Sequence, residues 1–200
     1  MTREDYLPAL LELFRQYGYD GVSLSKIAVA TGLGKASLYH HFPGGKSEML
    51  AAVLDWTEQW MEENLLSVLQ PEIGAQMAKT QGTAMRSAIM PKQQFQQMCD
   101  RLNQLYDSGN LPCLLATLTT SATHNTFRTQ VKARLQRLIE AIATLLTASG
   151  LTADVAQVRG EEAVISIQGS LILSRALEDP TPFQRVIANL PEQLCQGIDS

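Results

Sequence analysis

The chain has 200 residues, of which 45% are hydrophobic, and a formal net charge of −4 at pH 7. This length and composition suit one globular domain, or a small domain joined to a larger one, and exclude a disordered chain. The negative net charge does not indicate a protein that binds nucleic acid over its whole surface. Between Gly21 and Ser47, however, the only formal charges are positive: Lys26, Lys35 and Lys46.

The three cysteines, Cys99, Cys113 and Cys195, are far apart and form no CxxC pair. We expect them to be reduced, partly buried thiols. The first residues carry charges where a signal peptide needs an apolar run, and no stretch approaches the ~18 apolar residues of a membrane span. The sequence therefore predicts a cytoplasmic protein that is not inserted in a membrane.

The first quarter of the chain predicts three helices and the start of a fourth. Asp5 is expected to cap the first helix, which Gly18 and Gly21 end. Ser23 is expected to cap the second, which Gly32 stops in a left-handed turn. The segment Pro43-Gly44-Gly45 ends the third. The predicted helices cover residues 5–18, 24–31, 35–42 and, after the Pro-Gly-Gly break, 46–69.

The remaining residues also show helical periodicity. Pro71 and Gly74 suggest a hinge, and residues 71–92 predict a weak helix. Further helices are predicted over residues 91–109, 111–120, 131–150 and 154–179, and after Pro180 and Pro182, with a kink at Pro191. No strand-length alternation stands out. The sequence therefore predicts an all-α protein, with a three-helix domain over residues 1–47 and a larger helical domain over residues 48–200.

The second and third predicted helices have the spacing of a helix-turn-helix. Apolar side chains at Ile27, Ala28, Leu33 and Leu38 are spaced to pack the two helices together. The second of the pair then presents Lys35, Ser37, Tyr39 and His40 on a separate face. Such donors meet base edges and phosphates when a helix enters the major groove of DNA.

The segment "LLELFRQYGYDGVSLSKIAVATGLGKASLYHHFPGGKSEML" resembles the DNA-binding domain of the tetracycline-repressor (TetR) family. The resemblance rests on features that recur at matching spacing: Leu13-Phe14, Gly18, Ile27-Ala28, Gly32-Leu33, Leu38-Tyr39, His41-Phe42, Lys46 and Leu50. The "YHHFPGGK", "LPCLL" and "LILSRALEDP" segments are similar to the drug- and flavonoid-responsive, LmrA-like subgroup. Two departures stand out: only Met1, Thr2 and Arg3 precede the first helix, so no basic arm is predicted, and Gly34 replaces a capping hydroxyl residue.

The resemblance implies a homodimeric transcriptional regulator that binds a palindromic operator and releases it when a small effector binds. The predicted DNA-binding residues are Ser25, Lys26, Lys35, Ala36, Ser37, Tyr39, His40 and Lys46, with phosphate contacts expected from Lys26, Lys46, Tyr39 and the amide groups that begin the fourth helix.

Other functions for the same residues are less well supported. "GGKS" lacks the earlier glycine of a phosphate-binding loop, because His40 occupies that position. Adjacent His40 and His41 point about 100° apart on a helix and cannot chelate one ion together. His41 fits a packed residue beside Phe42 better than a functional one. We find no catalytic constellation, and we predict no enzyme activity, no metal and no cofactor.

The helical body is expected to hold the effector and the dimer contacts. A neutral, apolar or aromatic effector is expected, because charge is not clustered in the region from Met77 to Phe127; hypothetical lining residues are Met98, Leu102, Tyr106, Leu118, His124 and Phe127. The last two helices suit a four-helix dimer interface, with predicted contacts at Ile165, Gly169, Ile172, Phe183, Ile187, Leu190 and Leu194.

Three alternatives stay open. The methionines and hydroxyl residues of the region from Met77 to Phe127 fit a packed core with a capped loop at least as well as a pocket. The apolar stripe of the last helix also fits a role in the core of its own chain. Because only three lysines are available to phosphates, the chain also fits a helical ligand-binding or scaffold protein that does not bind DNA.

Overall fold

The computed structural model describes residues 2–71, 89–119 and 124–198, with the main chain alone at 89–90 and 124–126. The predicted all-α fold is confirmed, since these residues contain helices and no strand. The α-helices are α1 Leu7–Gly21, α2 Leu24–Thr31, α3 Lys35–His41, α4 Gly45–Met61, α5 Ile89–Leu105, α6 Leu114–Thr119, α7 His124–Ala148, α8 Ala153–Leu177 and α9 Thr181–Leu194.

The described chain divides into two compact units. The first unit comprises Met1–Trp60 and Pro112–Lys132, and the second comprises Met61–Leu111 and Ala133–Ser200. This division follows packing, whereas the division at residue 47 predicted from the sequence separates functions and stays a prediction.

The first unit has a core of apolar side chains from α1 to α4. A 3₁₀ turn over Arg3–Tyr6 precedes α1, so the prediction that Asp5 caps α1 is wrong. Asp5 instead accepts a hydrogen bond from the Thr2 amide at 2.6 Å. Gly18 interrupts α1 with a φ of 66°. The fully buried side chains of this unit include Leu10, Phe14, Ile27, Leu38, Phe42, Met49 and Leu50.

The second unit packs α9 against both α5 and α8. At Gly160, α8 lies so close to α7 that an added Cβ would meet the Ile139 carbonyl oxygen at 2.8 Å. The Gln94 side chain of α5 donates to the carbonyls of Val68 and Gln70 at 2.8 and 2.9 Å. The deepest side chains of this unit include Leu69, Phe95, Met98, Ile142, Leu146 and Phe183.

Several predicted boundaries need correction. After α4 the chain continues as a π-helical turn over Glu62–Leu66 and a 3₁₀ turn over Ser67–Leu69, which hydrophobic periodicity does not distinguish from an α-helix. Helix α7 begins seven residues earlier than predicted. Pro191 lies in the last turn of α9. Most of the weak helix predicted over residues 71–92, with Gly74 of the predicted hinge, lies outside the described residues.

Candidate nucleic-acid interface

Helix α2 is capped as its sequence predicts. The Ser23 hydroxyl accepts a hydrogen bond from the Lys26 amide at 3.2 Å, which satisfies one of the free donors at a helix start. Ile27 is fully buried, while Ser25 and Lys26 are exposed in the first turn. The Lys26 ammonium lies 3.6 Å from the centroid of the Tyr17 ring, so this cation is held over an aromatic face.

The turn between α2 and α3 is fixed by local hydrogen bonds. Gly32 has a φ of 69°, the left-handed conformation that glycine adopts without strain. The Thr31 hydroxyl donates to the Ile27 carbonyl at 2.7 Å and accepts from the Leu33 amide at 3.4 Å. Gly34 occupies the N-cap of α3 without a side-chain cap. The turn therefore sets the direction of α3 through backbone geometry and one hydroxyl.

Helix α3 presents a nearly continuous polar surface. Only Leu38 is buried, and the side chain of Tyr39 is 42% exposed. The His41 ring instead lies 5.1 Å from the ring of the buried Tyr6, which agrees with a packing role. The structure brings these predicted DNA-binding residues together, exposed, on one short helix: Lys35, Ala36, Ser37, Tyr39 and His40.

The turn from α3 to α4 contains contacts that were not predicted from the sequence. The Glu48 carboxylate accepts from the Gly44 amide at 2.7 Å and pairs with Arg3 at 2.8 Å. Arg3 also lies 4.7 Å from the centroid of the Phe42 ring. An acidic residue in the first turn of a helix was the available signal. The Gly44 amide is therefore occupied within the chain, although amides at this helix start were expected to bind phosphate.

Lys46 is partly buried, whereas Lys26 and Lys35 are exposed. Its ammonium group donates to the carbonyls of Tyr19 and Val22, both at 2.9 Å. It also lies 4.3 Å from the centroid of the Tyr19 ring. A groove of about 460 Å³ lies at this place, lined by Tyr19, Val22, Ser23, Leu24, Tyr39 and residues 43–47.

Comparison with known proteins agrees with this geometry. The profile described as "Bacterial regulatory proteins, tetR family" matches residues 7–53, and the profile "Transcriptional regulator LmrA/YxaF-like, C-terminal domain" matches residues 91–189. The chain belongs to the TetR family.

Full-length relatives support the same assignment. The HTH-type transcriptional regulator LmrA of Bacillus subtilis is 23% identical over 193 residues, which cover 96% of each chain. A TetR transcriptional regulator from Legionella pneumophila has a similar fold, with a TM-score of 0.73, 22% identity and coverage of 96% of this chain and 97% of its own. The regulatory protein TetR from Rhodobacter sphaeroides also has a TM-score of 0.73, with 19% identity and coverage of 94% and 96%.

The six predicted effector contacts of this TetR-family chain fall into both units. Met98, Leu102 and Tyr106 are buried in the second unit, where the Tyr106 ring meets the Phe183 ring edge-on at 5.9 Å. Leu118 and Phe127 are buried in the first unit, and the Phe127 ring lies 5.9 Å from that of Tyr19. The His124 side chain lies outside the described residues, as do Met77 and Met85.

The predicted dimer residues of α8 and α9 have opposite environments. On α8, Ile165 and Ile172 are 67% and 61% exposed, and Gly169 faces open space. The α9 residues, by contrast, are buried within their own chain: Phe183, Ile187, Leu190 and Leu194. The α9 stripe therefore completes the core of the second unit, because α5 and α8 pack on it, and it is covered without a partner.

The cysteine thiols of the second unit have raised pKa values. Burial raises the pKa of the Cys99 thiol to about 12 and also raises the pKa of Cys195, which disfavours the reactive thiolate. Within the described ranges, no three His, Cys, Asp or Glu side chains come together as a metal site would require. Among the described helices, none has the length and apolar character of a membrane span.

Proposed function

We propose that the chain is a ligand-responsive transcriptional repressor. It binds a palindromic operator as a homodimer, and a small apolar or aromatic effector releases it. The observation that carries the proposal is the exposed polar surface of α3, directly after a capped α2 and a fixed Gly32 turn. This is the arrangement in which a recognition helix enters the major groove.

The proposed DNA contacts divide into two kinds. Lys35 and Ser37 lie in the first turn of α3, where donors reach base edges and nearby phosphates. Ser25 and Lys26 lie in the first turn of α2, which crosses the phosphate backbone in this class of motif. Tyr39 and His40 extend the contact surface along α3. The proposal gains support from the exposure of all six side chains.

The proposed dimer is built on the exposed face of α8, hereafter the α8 outer face: Val158, Ile165, Gly169, Ile172 and Leu173. Val158, Ile165 and Ile172 recur at seven-residue steps, and all three are exposed. A helix of a second copy would cover this row, and Gly169 would allow the two helices to approach closely. Beside this face lies a groove of about 470 Å³, lined by α8 and by Leu190, Gln193, Leu194 and Gln196. A symmetric dimer would space its recognition helices one turn of DNA apart, about 34–36 Å.

The proposed effector acts on the body, and its chemistry follows from the buried residues. Met98, Leu102 and Tyr106 offer apolar surface with one phenolic hydroxyl. Because these side chains are buried, an effector must displace packed neighbours, and it would thereby favour a different conformer of the body. Release of DNA then follows if that conformer holds the recognition helices at a spacing unsuited to the operator.

The experiment is binding of the purified chain to a fluorescent duplex that contains its own upstream DNA. We expect specific binding that weakens steeply with salt and that one or more compounds of an aromatic library abolish. Replacement of Tyr106 by Ala should change the compound response without changing DNA affinity in the absence of compound. A folded dimer that binds no duplex at low salt would contradict the proposal and favour the scaffold alternative.

A further inference from the structure

Lys46 has the charge of a phosphate ligand, but its ammonium group is bound to other parts of its own chain. Two of its three ammonium N–H groups donate to main-chain carbonyls, those of Tyr19 and Val22, at 2.9 Å each. The Tyr19 ring covers the same ammonium group and stacks in turn on the fully buried Phe14 at 6.3 Å. A cation with two charge-assisted hydrogen bonds and an aromatic neighbour is held firmly in place.

The two carbonyls belong to the end of α1. Tyr19 follows the Gly18 interruption of that helix, and Val22 is its C-cap, 1% exposed. Carbonyls at a helix end lack intrahelical partners, and a cation there is favourable. Lys46 therefore caps the carboxyl end of α1 from a position 24 and 27 residues further along the chain.

This contact joins the two segments that flank the helix-turn-helix formed by α2 and α3. Val22 directly precedes Ser23, the cap of α2, and so fixes where α2 begins. On the other side, Lys46 directly follows Gly45, the first residue of α4 and the end of the turn that closes α3. The groove described above lies between these two segments and is lined by both. One ammonium group thus bridges the segment before α2 and the start of α4.

We propose that Lys46 is a positioning residue: it supports operator affinity by holding these two segments together and does not neutralise a phosphate. The inference rests on the proposed DNA binding. A preorganised surface binds more tightly because less ordering occurs on binding. A phosphate ligand also releases counterions, which steepens the dependence of affinity on salt by about 0.9 in the log–log slope. A positioning residue leaves that slope unchanged, so the two roles are separable.

The test compares Lys46→Met with Lys35→Met on the same duplex over a range of salt concentrations. Within the described part of the chain, the exposed Lys35 ammonium group has no hydrogen-bond or ion-pair partner, so it serves as the matched exposed lysine. We expect Lys46→Met to weaken binding about tenfold, the order that follows from losing hydrogen bonds to a charged group. Its slope should stay at the wild-type value, whereas Lys35→Met should lower the slope by about 1.8, which is about 0.9 for each of the two copies in the proposed dimer.

Two results would overturn the inference. A slope for Lys46→Met that falls as far as that of Lys35→Met would make Lys46 a phosphate ligand. Unchanged affinity in folded Lys46→Met would limit Lys46 to a structural role. Wild-type protein that binds no duplex would instead contradict the proposed function, so the two failures are distinguishable.

A second variant covers the case in which Lys46→Met does not fold. Tyr19→Leu keeps the lysine and its charge but removes the ring beneath the ammonium group. The positioning role predicts weaker DNA binding with the wild-type slope. Binding is measured below the unfolding temperature of the variant, which circular dichroism determines. Unchanged binding in folded Tyr19→Leu would contradict the positioning role.

Discussion

Helices α8 and α9 each carry an apolar row, but the two rows have opposite environments. On α9 the row is covered by the chain itself, and Phe183 is 0% exposed. On α8 the buried row faces the core, and a second row, the α8 outer face, is left uncovered. Periodicity therefore indicates that a helix has an apolar face, but it does not say whether the same chain or a second copy covers it.

The largest expected effect comes from the covered row. Phe183→Ala removes a fully buried ring that meets Tyr106 edge-on at 5.9 Å and packs on Gly109. The free energy of unfolding should fall by about 3–5 kcal/mol, the usual cost of a Phe-to-Ala cavity. Urea denaturation measures it. Loss of the dimer with unchanged unfolding would instead make Phe183 an interface residue and break the comparison.

Substitutions in the uncovered row should weaken the proposed dimer, whereas those in the covered row lower the stability of the fold. The double variant Ile165→Ser, Ile172→Ser removes two exposed apolar side chains that the proposed dimer would bury. We expect the dimer dissociation constant to rise by at least about 100-fold, because a dimer of this variant lacks four isoleucines, each of which contributes up to about 1.5–3 kcal/mol when it is fully buried. Sedimentation at several concentrations measures this constant. An unchanged constant would mean that the α8 outer face is not the dimer surface.

Two glycines on α8 sharpen the same comparison within one helix. Gly160→Ala would place a Cβ 2.8 Å from the Ile139 carbonyl oxygen, so the chain should lose about 1–3 kcal/mol of stability. Gly169→Ala meets nothing within 4 Å in its own chain and should leave the fold intact or stabilise it by about 0.5–1 kcal/mol. Thermal melts of both variants distinguish them. Equal destabilisation would contradict the assignment of inner and outer faces.

The smallest effect concerns the cysteines. Cys99 of α5 is fully buried with a pKa raised to about 12, while Cys195, which directly follows α9, is half-buried. A thiol reagent near pH 8 should modify Cys195 first, and Cys99 only when the protein unfolds, since the thiolate is the reactive form. Mass spectrometry over time checks the order, and faster labelling of Cys99 would show that α5 opens in the folded state.

Features with local causes could be predicted from the sequence. The Ser23 cap and the left-handed Gly32 depend on neighbouring residues, and both are confirmed. The exposed face of α3 follows from the single buried Leu38 in that helix. Short-range chemistry therefore located the helix-turn-helix and its outward side chains.

Features that depend on distant partners could not be predicted. Lys46 finds its acceptors 24 and 27 residues away, and these are main-chain carbonyls, which no side-chain pattern encodes. The division between the buried α9 row and the exposed α8 outer face depends on how α5 packs, which periodicity does not report. The same limit applies to the predicted effector residues, which fall into two units.

The measurement that tests the central claim most directly is footprinting of the purified chain on its own upstream DNA, at low salt. Operator binding through α3 of a dimer predicts two protected half-sites, related by two-fold symmetry and centred about one helical turn apart. Lys35→Met should weaken the protection at both half-sites together. A folded dimer that leaves the DNA unprotected would contradict the claim.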